Sequence, residues 1–339
     1  MNERNSNNFD FLRVLAATLI CFGHSFALPG KLSQTPVIRI GEFVISPLSA
    51  ALSIFFAISG FLIARSAVNS SSVINYLWKR FLRIQPLLVV FCVAAVFILC
   101  LYSNLPASAY FRDPKTWSFF RNIIPVFGFQ ANLPGVFYQC PDVPAINGGL
   151  WSLVLEERMY LLVIPLVLLA KLKKIRWFLI IPLSLAAIAF VFEKILHTPL
   201  PIHDASYYYG FTFLVGSSLY VLNFTGKLPI LILSLTIGIL GIWLSGEFAS
   251  FLTILLFPII IISFALLKTP LSGLAKYGDF TYGIYLFSYP VQQMIIAGSR
   301  EQINPYFLFF ISFAISLLLA FISWHFVEKQ FLKLKNRVK

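Results

Sequence analysis

Long apolar runs, each closed by a short polar or basic connection, organise this chain. A membrane-spanning helix needs about 20 mostly apolar residues. Ten stretches meet or approach that length: 9–29, 44–64, 83–103, 149–170, 177–193, 207–223, 228–245, 248–267, 280–297 and 306–327. The pattern predicts an all-α, polytopic transmembrane helix bundle of about ten spans, making a single domain over residues 1–339. The one long connection, 104–148, is rich in Pro, Asn and aromatic residues and too small for a second domain. No internal repeat or low-complexity tract interrupts the series.

Composition narrows the classes. Hydrophobic residues make up 59% of the chain and charged ones 12%, against about 25% charged in a typical soluble domain. Mean hydropathy is +0.84. A soluble globular enzyme, a disordered chain and a secreted disulfide scaffold are excluded. Cys21, Cys92, Cys100 and Cys140 show neither metal-knuckle nor disulfide-framework spacing, so no metal is expected. A net charge of +13 would point to nucleic acid in a soluble protein. Here it records topology, and nucleic acid is not an expected partner.

An even number of spans puts both termini on one side. Basic residues cluster on the side of Arg4, Arg65, Lys79, Arg80, Arg83, the Lys171–Arg176 loop, Lys227, Lys268, Lys276 and the Lys329–Lys339 tail. The opposite side holds only Lys31, Arg39, Arg112, Lys115, Arg121, Lys194 and Arg300. The first side, with both termini, is therefore expected in the cytoplasm. Ser25-Phe26-Ala27 has the small-x-small form of a cleavage site. Asp10 and Arg13 at the base of the run, and a non-basic Met1–Asn8, argue against a signal peptide.

Ionisable groups inside lipid are costly and usually functional. The first run carries Asp10, Arg13 and His24, which fall within about 60° of one helix face. The rise from Arg13 to His24 is about 16 Å, so His24 is placed in the outer half of the bilayer. An Asp–Arg pair plus a hydrogen-bonded histidine would explain these residues structurally. Imidazole, however, titrates near neutrality and can take a proton from a hydroxyl at modest cost, which makes His24 the candidate base or, transiently acylated, a relay.

Three further polar groups stand out. Lys79-Arg80-Phe81-Leu82-Arg83 sits at the expected cytoplasmic start of a span. Guanidinium forks there suit a polyphosphate, although topology alone also calls for basic residues. Asn147-Gly148-Gly149-Leu150-Trp151-Ser152-Leu153 leads into Glu156-Glu157-Arg158 and Tyr160. Glu156 and Tyr160 share a helix face and Glu156 takes the functional reading; Glu157 reads as a headgroup-facing partner of Arg158. Gly278-Asp279-Phe280-Thr281-Tyr282-Gly283-Ile284-Tyr285 continues into Ser288-Tyr289-Pro290 and Gln292-Gln293. Tyr282, Tyr285 and Tyr289 form one face, and Pro290 should free a backbone carbonyl for use inside the bundle. Trp324-His325-Phe326-Val327-Glu328 reads as a snorkelling helix end beside Lys329. His197 and His203 fall in an outer loop, without an expected catalytic role.

These segments together resemble the acyltransferase-3 family, integral membrane acyltransferases that modify carbohydrates at the bacterial surface. The likeness runs from about Phe9 to Lys333. Asp10-Phe11-Leu12-Arg13 with His24 resembles the family's opening helix, whose histidine is taken as essential. Phe55-Phe56-Ala57-Ile58-Ser59-Gly60-Phe61-Leu62 resembles its second-helix signature. Arg80-Phe81-Leu82-Arg83 with Pro86 resembles its R-x-x-R motif, assigned to acyl-CoA handling. Trp151-Ser152-Leu153 with Glu156 resembles W-[ST]-L-x-x-E, and Gly278–Tyr285 with Pro290 its late-helix motif. Ser288-Tyr289 stand where many members place a histidine, and take no base role. Trp324 and Glu328 match the closing motif. Some members carry an additional C-terminal hydrolase-like domain; a chain stopping at Lys339 would work alone or with a separate partner.

The resemblance implies an inner-membrane O-acyltransferase, most readily an O-acetyltransferase, with acetyl-CoA as co-substrate and a carbohydrate acceptor. It implies His24, Glu156, Asp10 and Arg13 as the catalytic set and Arg80 and Arg83 as donor-binding. Tyr160, Tyr282, Tyr285 and Trp151 would position substrate. A transporter or flippase of lipid-linked sugars is the alternative that composition allows. It lacks the paired discontinuous segments usual in transporters. A sensor or scaffold would leave the intramembrane charges unexplained.

Overall fold

A computed structural model describes residues 7–40, 43–141, 144–169, 204–244, 246–272, 278–299 and 303–337. The chain is mostly helical. Four helical segments are long and apolar enough to cross a membrane among the described residues: Phe9–Ala27, Pro47–Val68, Val73–Tyr102 and Pro305–Lys335. Leu228–Gly241 and Leu255–Leu266 are shorter apolar helices. The expected span 177–193, the Lys171–Arg176 loop, His197 and His203 lie outside the described residues.

Several boundaries differ from the hydropathy reading, each for a local reason. Residues 44–45 are not helical: Ile38–Ile40 and Phe43–Ile45 pair antiparallel, Ile38 opposite Ile45. The helix Pro47–Val68 begins just after them, because Ser46 and Ser49 form a reciprocal capping box and Pro47 occupies the first turn, where its missing N–H costs nothing. The helix Val73–Ile98 begins well before residue 83. The Ser72 hydroxyl accepts from the Asn75 amide and caps it, so Arg80 and Arg83 sit inside the helix rather than at its start. The expected span 149–170 is broken into Leu150–Leu162 and Ile164–Leu169. Pro165, which has no amide to give the preceding turn, sits just past the break. The last span does not simply fray: Pro305–Ser323 continues into a π-turn, Trp324–Glu328, and then Lys329–Leu332.

Two compact units divide the chain, and the division cuts the first helix after Ala16. The first holds Met1–Ala16, Val37–Tyr76 and Met159–Tyr277. Its core is a close contact between Pro47–Val68 and Asp204–Val221. A Cβ on Gly60 would overlap the Phe213 carbonyl oxygen, and one on Gly216 would overlap that of Ala57. Small residues let membrane helices approach this closely. The Ser217 hydroxyl adds a bond to the Gly60 carbonyl at 3.0 Å. Buried Asn8 closes the end of Gly246–Leu266: its side-chain amide donates to Phe264 and Leu267 carbonyls, both at 3.0 Å. Asp10 and Arg13 form an ion pair at 3.2 Å.

The second unit comprises Ala17–Pro36, Leu77–Arg158 and Gly278–Lys339. Thr281–Gly298 packs on Pro305–Ser323, where a Cβ on Gly283 would lie 2.7 Å from that of Ala320. The long connection is more ordered than its composition suggests. It contains the helices Ala107–Arg112 and Pro114–Ser118. The fully buried Tyr110 donates to the Val96 carbonyl at 3.0 Å, and burial raises its phenol above the usual tyrosine range.

Candidate functional site

Most candidate residues fall in the second unit, where the helix Thr281–Gly298 organises them. Pro290 has no amide to give the carbonyl four residues earlier, which is that of Leu286. Asn147 takes that place: its side-chain amide donates to the Leu286 oxygen at 3.0 Å, and its own oxygen accepts from Gly149 N–H at 2.9 Å. The Tyr285 hydroxyl lies 2.6 Å from the Gly149 carbonyl and 2.9 Å from the Ser152 hydroxyl. A Cβ on Gly148 would sit 2.9 Å from the Tyr289 hydroxyl. Glycine at 148 is thus what lets the Tyr289 ring lie against the loop. Asn147-Gly148-Gly149 is gripped by one helix face.

That same Tyr289 carries His24. The two rings meet edge to face, with centroids 5.1 Å apart and planes at 73°. His24 Nδ1 is buried and has no hydrogen-bond partner. A buried polar atom left unpaired in a folded protein calls for a reason, and a catalytic role is one. One turn back, the Gln292 side-chain amide donates to the Cys21 carbonyl at 2.8 Å and lies 3.1 Å from the Ser312 hydroxyl. The Gln292 side-chain oxygen is likewise buried without a partner. On the outer part of the first helix, His24 and the Cys21 carbonyl therefore meet Tyr289 and Gln292. Sequence reasoning gave those two no role. The signal for Gln292 was an amide inside an apolar run; for Tyr289 it was the i, i+3, i+7 tyrosine face.

Within the basic cluster, Arg83 is engaged by acids. Arg83 Nη2 lies 2.7 Å from Asp279 Oδ2, and Nη1 lies 3.7 Å from Glu328 Oε2. Glu328 is 2% exposed and accepts from the Ser323 hydroxyl at 3.2 Å. The snorkelling reading of Trp324–Glu328 is thereby corrected: the π-turn rotates the carboxylate inward onto Arg83. Trp324 covers Gly278, whose φ is +137° and where a Cβ would lie 2.6 Å from the indole nitrogen. The Tyr282 hydroxyl donates to the Ile84 carbonyl at 3.2 Å. Arg80 is half-buried on the same helix.

The acidic pair also needs correction. Glu157 does not face headgroups or pair with Arg158. It is 7% exposed, accepting from Gln85 Nε2 at 2.5 Å and from the Val126 N–H at 2.9 Å. Arg158 is exposed and donates to the Val126 carbonyl at 3.2 Å. Glu156 is buried to the same degree as Glu157, within electrostatic reach of Tyr282 and Tyr285. Trp151 is half-buried in this unit. Tyr160, also buried, belongs to the first unit, as do Asp10 and Arg13. The structure thus groups His24, Arg80, Arg83, Trp151, Glu156, Tyr282 and Tyr285 in one unit.

Comparison with known proteins finds relatives along nearly the whole chain. The family described as "Acyltransferase domain" matches residues 6–325. An O-acetyl transferase of Shigella phage Sf6 is 29% identical over 341 residues, covering 96% of both chains. Nodulation protein 10 of Rhizobium leguminosarum bv. viciae is 26% identical over 371 residues, covering 99% of this chain and 96% of its own. No solved structure matches the chain.

Proposed function

The chain belongs to this acyltransferase family and is an enzyme that transfers acyl groups other than aminoacyl groups; from that premise we propose a membrane O-acyltransferase, most readily an O-acetyltransferase, acting on a carbohydrate hydroxyl. The acceptor is a cell-surface polysaccharide or its lipid-linked precursor. The donor is cytoplasmic acetyl-CoA, approaching the basic cluster at Arg80 and Arg83. About ten spans in a bacterial inner membrane, with both termini inside, would place His24 toward the opposite face.

The chemistry asks little of the protein. His24 takes the proton of the acceptor hydroxyl. The oxygen bonds to the thioester carbonyl carbon, the C–S bond breaks, and CoA leaves as its thiol once the imidazolium returns the proton. A base must be free to accept, and the observation that supports His24 is its buried Nδ1 with no hydrogen-bond partner, steadied by Tyr289. Glu156 and Trp151 line the acceptor side. Tyr282 and Tyr285 act through the backbone they hold, at Ile84 and Gly149. Of the first unit's residues, Tyr160 is assigned to substrate positioning and the Asp10–Arg13 pair to orienting the first helix.

The test is acetyl transfer by purified protein in detergent, read together with mass spectrometry of surface glycans from a deletion strain and its complemented parent. The expected results are loss of one acyl group per repeat on deletion and no transfer by His24→Ala. Unchanged glycan mass would overturn the reading, and an active His24→Ala variant would remove His24 from the reaction.

A further inference from the structure

Two arginines three residues apart invite the same role, yet Arg83 is committed elsewhere. One arm of its guanidinium reaches Asp279 at 2.7 Å and the other faces Glu328 at 3.7 Å. Each acid is itself held: Asp279 Oδ1 accepts from the Thr281 hydroxyl at 2.5 Å, and Glu328 Oε1 from that of Ser323. One side chain thus joins the helix Val73–Ile98, the entry to Thr281–Gly298, and the π-turn Trp324–Glu328.

Two backbone features converge on this junction. Gly278 sits at φ +137° beneath Trp324, a conformation that L side chains rarely adopt. The π-turn is an uncommon geometry that tends to mark functional sites. A phosphate binding this guanidinium would sit beside two carboxylates and would have to displace a charge-assisted bond to a partly buried acid.

We propose that Arg83 is a positioning residue, the tie that holds Asp279, the π-turn and the Tyr282 segment in register, and that it is not a ligand of the donor's phosphates. The inference rests on acyl-CoA being the donor. Within the Lys79–Arg83 cluster it gives Arg83 the alignment of these segments and leaves the donor's phosphates to other groups.

The experiment compares acetyl-CoA with acetyl-pantetheine, which carries no phosphate, as donors for the purified full-length protein. The expected result for Arg83→Gln is a kcat lower by about tenfold or more, the loss of a charge-assisted bond, and a lower Tm. The ratio of KM values for the two donors should stay as in the wild type. Arg83→Lys should recover part of kcat and Tm. The triple variant Arg83→Gln/Asp279→Asn/Glu328→Gln should regain Tm, since no carboxylate is then left facing a missing cation. A KM for acetyl-CoA that rises until it matches that for acetyl-pantetheine would overturn the proposal. If Arg83→Gln does not fold, Arg83→Lys is read in the same way. Wild-type protein that uses neither donor would overturn the acyl-CoA reading instead, while the Tm series would still report on the tie. Equal Tm for wild type and Arg83→Gln would sink the tie itself.

Discussion

The side-chain amide of Asn147 occupies the carbonyl of Leu286 at 3.0 Å, the group that Pro290 leaves without a helical partner. A helix defect in one segment thereby becomes an anchor for a loop 139 residues away. Losing a buried bond of this kind costs about 1–3 kcal/mol. Asn147→Ala should therefore lower Tm and activity together. Pro290→Ala restores an amide to bond Leu286, so the two changes should not add. A double-mutant cycle by thermal unfolding in detergent should give a coupling of about 0.5–3 kcal/mol. Strict additivity would show that the carbonyl does not link the two residues.

Tyr289 and His24 meet edge to face, and a phenyl ring provides the same surface. Tyr289→Phe should keep most of the transfer rate. Tyr289→Ala should lower kcat by about tenfold or more, as expected when a reacting group loses its orientation. Gly148→Ala should fall between them, because its methyl meets the Tyr289 hydroxyl at 2.9 Å. Steady-state kinetics at saturating acetyl-CoA distinguishes these; full activity in Tyr289→Ala would rule out the ring as the support for His24.

Gly60 and Gly216 should be intolerant of any side chain. Their added Cβ atoms would overlap backbone carbonyl oxygens of the facing helix, and backbone yields less than a side chain. Gly60→Ala and Gly216→Ala should each cost at least about 1–3 kcal/mol, as overpacking does. Gly298→Ala is the control, since nothing lies within 4 Å of its Cβ. Yield of monodisperse protein and Tm check the series.

Glu157 and Arg158 are adjacent and should respond oppositely. Glu157→Leu removes both acceptors and leaves the Gln85 side-chain amide and the Val126 N–H without a partner. It should cost about 1–3 kcal/mol, the penalty of an unsatisfied buried group. Arg158→Ala removes an exposed group and should stay within about 0.5 kcal/mol. Thermal unfolding decides; the reverse order would restore the headgroup reading of Glu157.

Much of the site is legible in residue spacing alone. The alternation of apolar runs with basic connections, the polar face on the first helix and the carbonyl released by Pro290 all follow from local rules of spacing and covalent geometry. Burial of the acids is not legible there. Glu157 and Arg158 look alike as neighbours on a helix, and only the Pro125–Phe127 turn folding back on them makes one an interior acceptor and leaves the other outside. Glu328 likewise reads as a chain-end charge until the π-turn rotates it onto Arg83.

The amino-acid sequence by itself determined the solvent, the helical class and the face on which each polar group stands. Those depend on composition and on a periodicity of about 3.6 residues. Tertiary structure alone decided which faces meet. It set Tyr289 against His24, Asn147 against Leu286, and Asp279 and Glu328 against Arg83. The physical reason is that a helix repeat states the direction of a side chain but not its partner. The partner is chosen by packing between segments far apart in the chain, and by the requirement that buried polar groups find one another there.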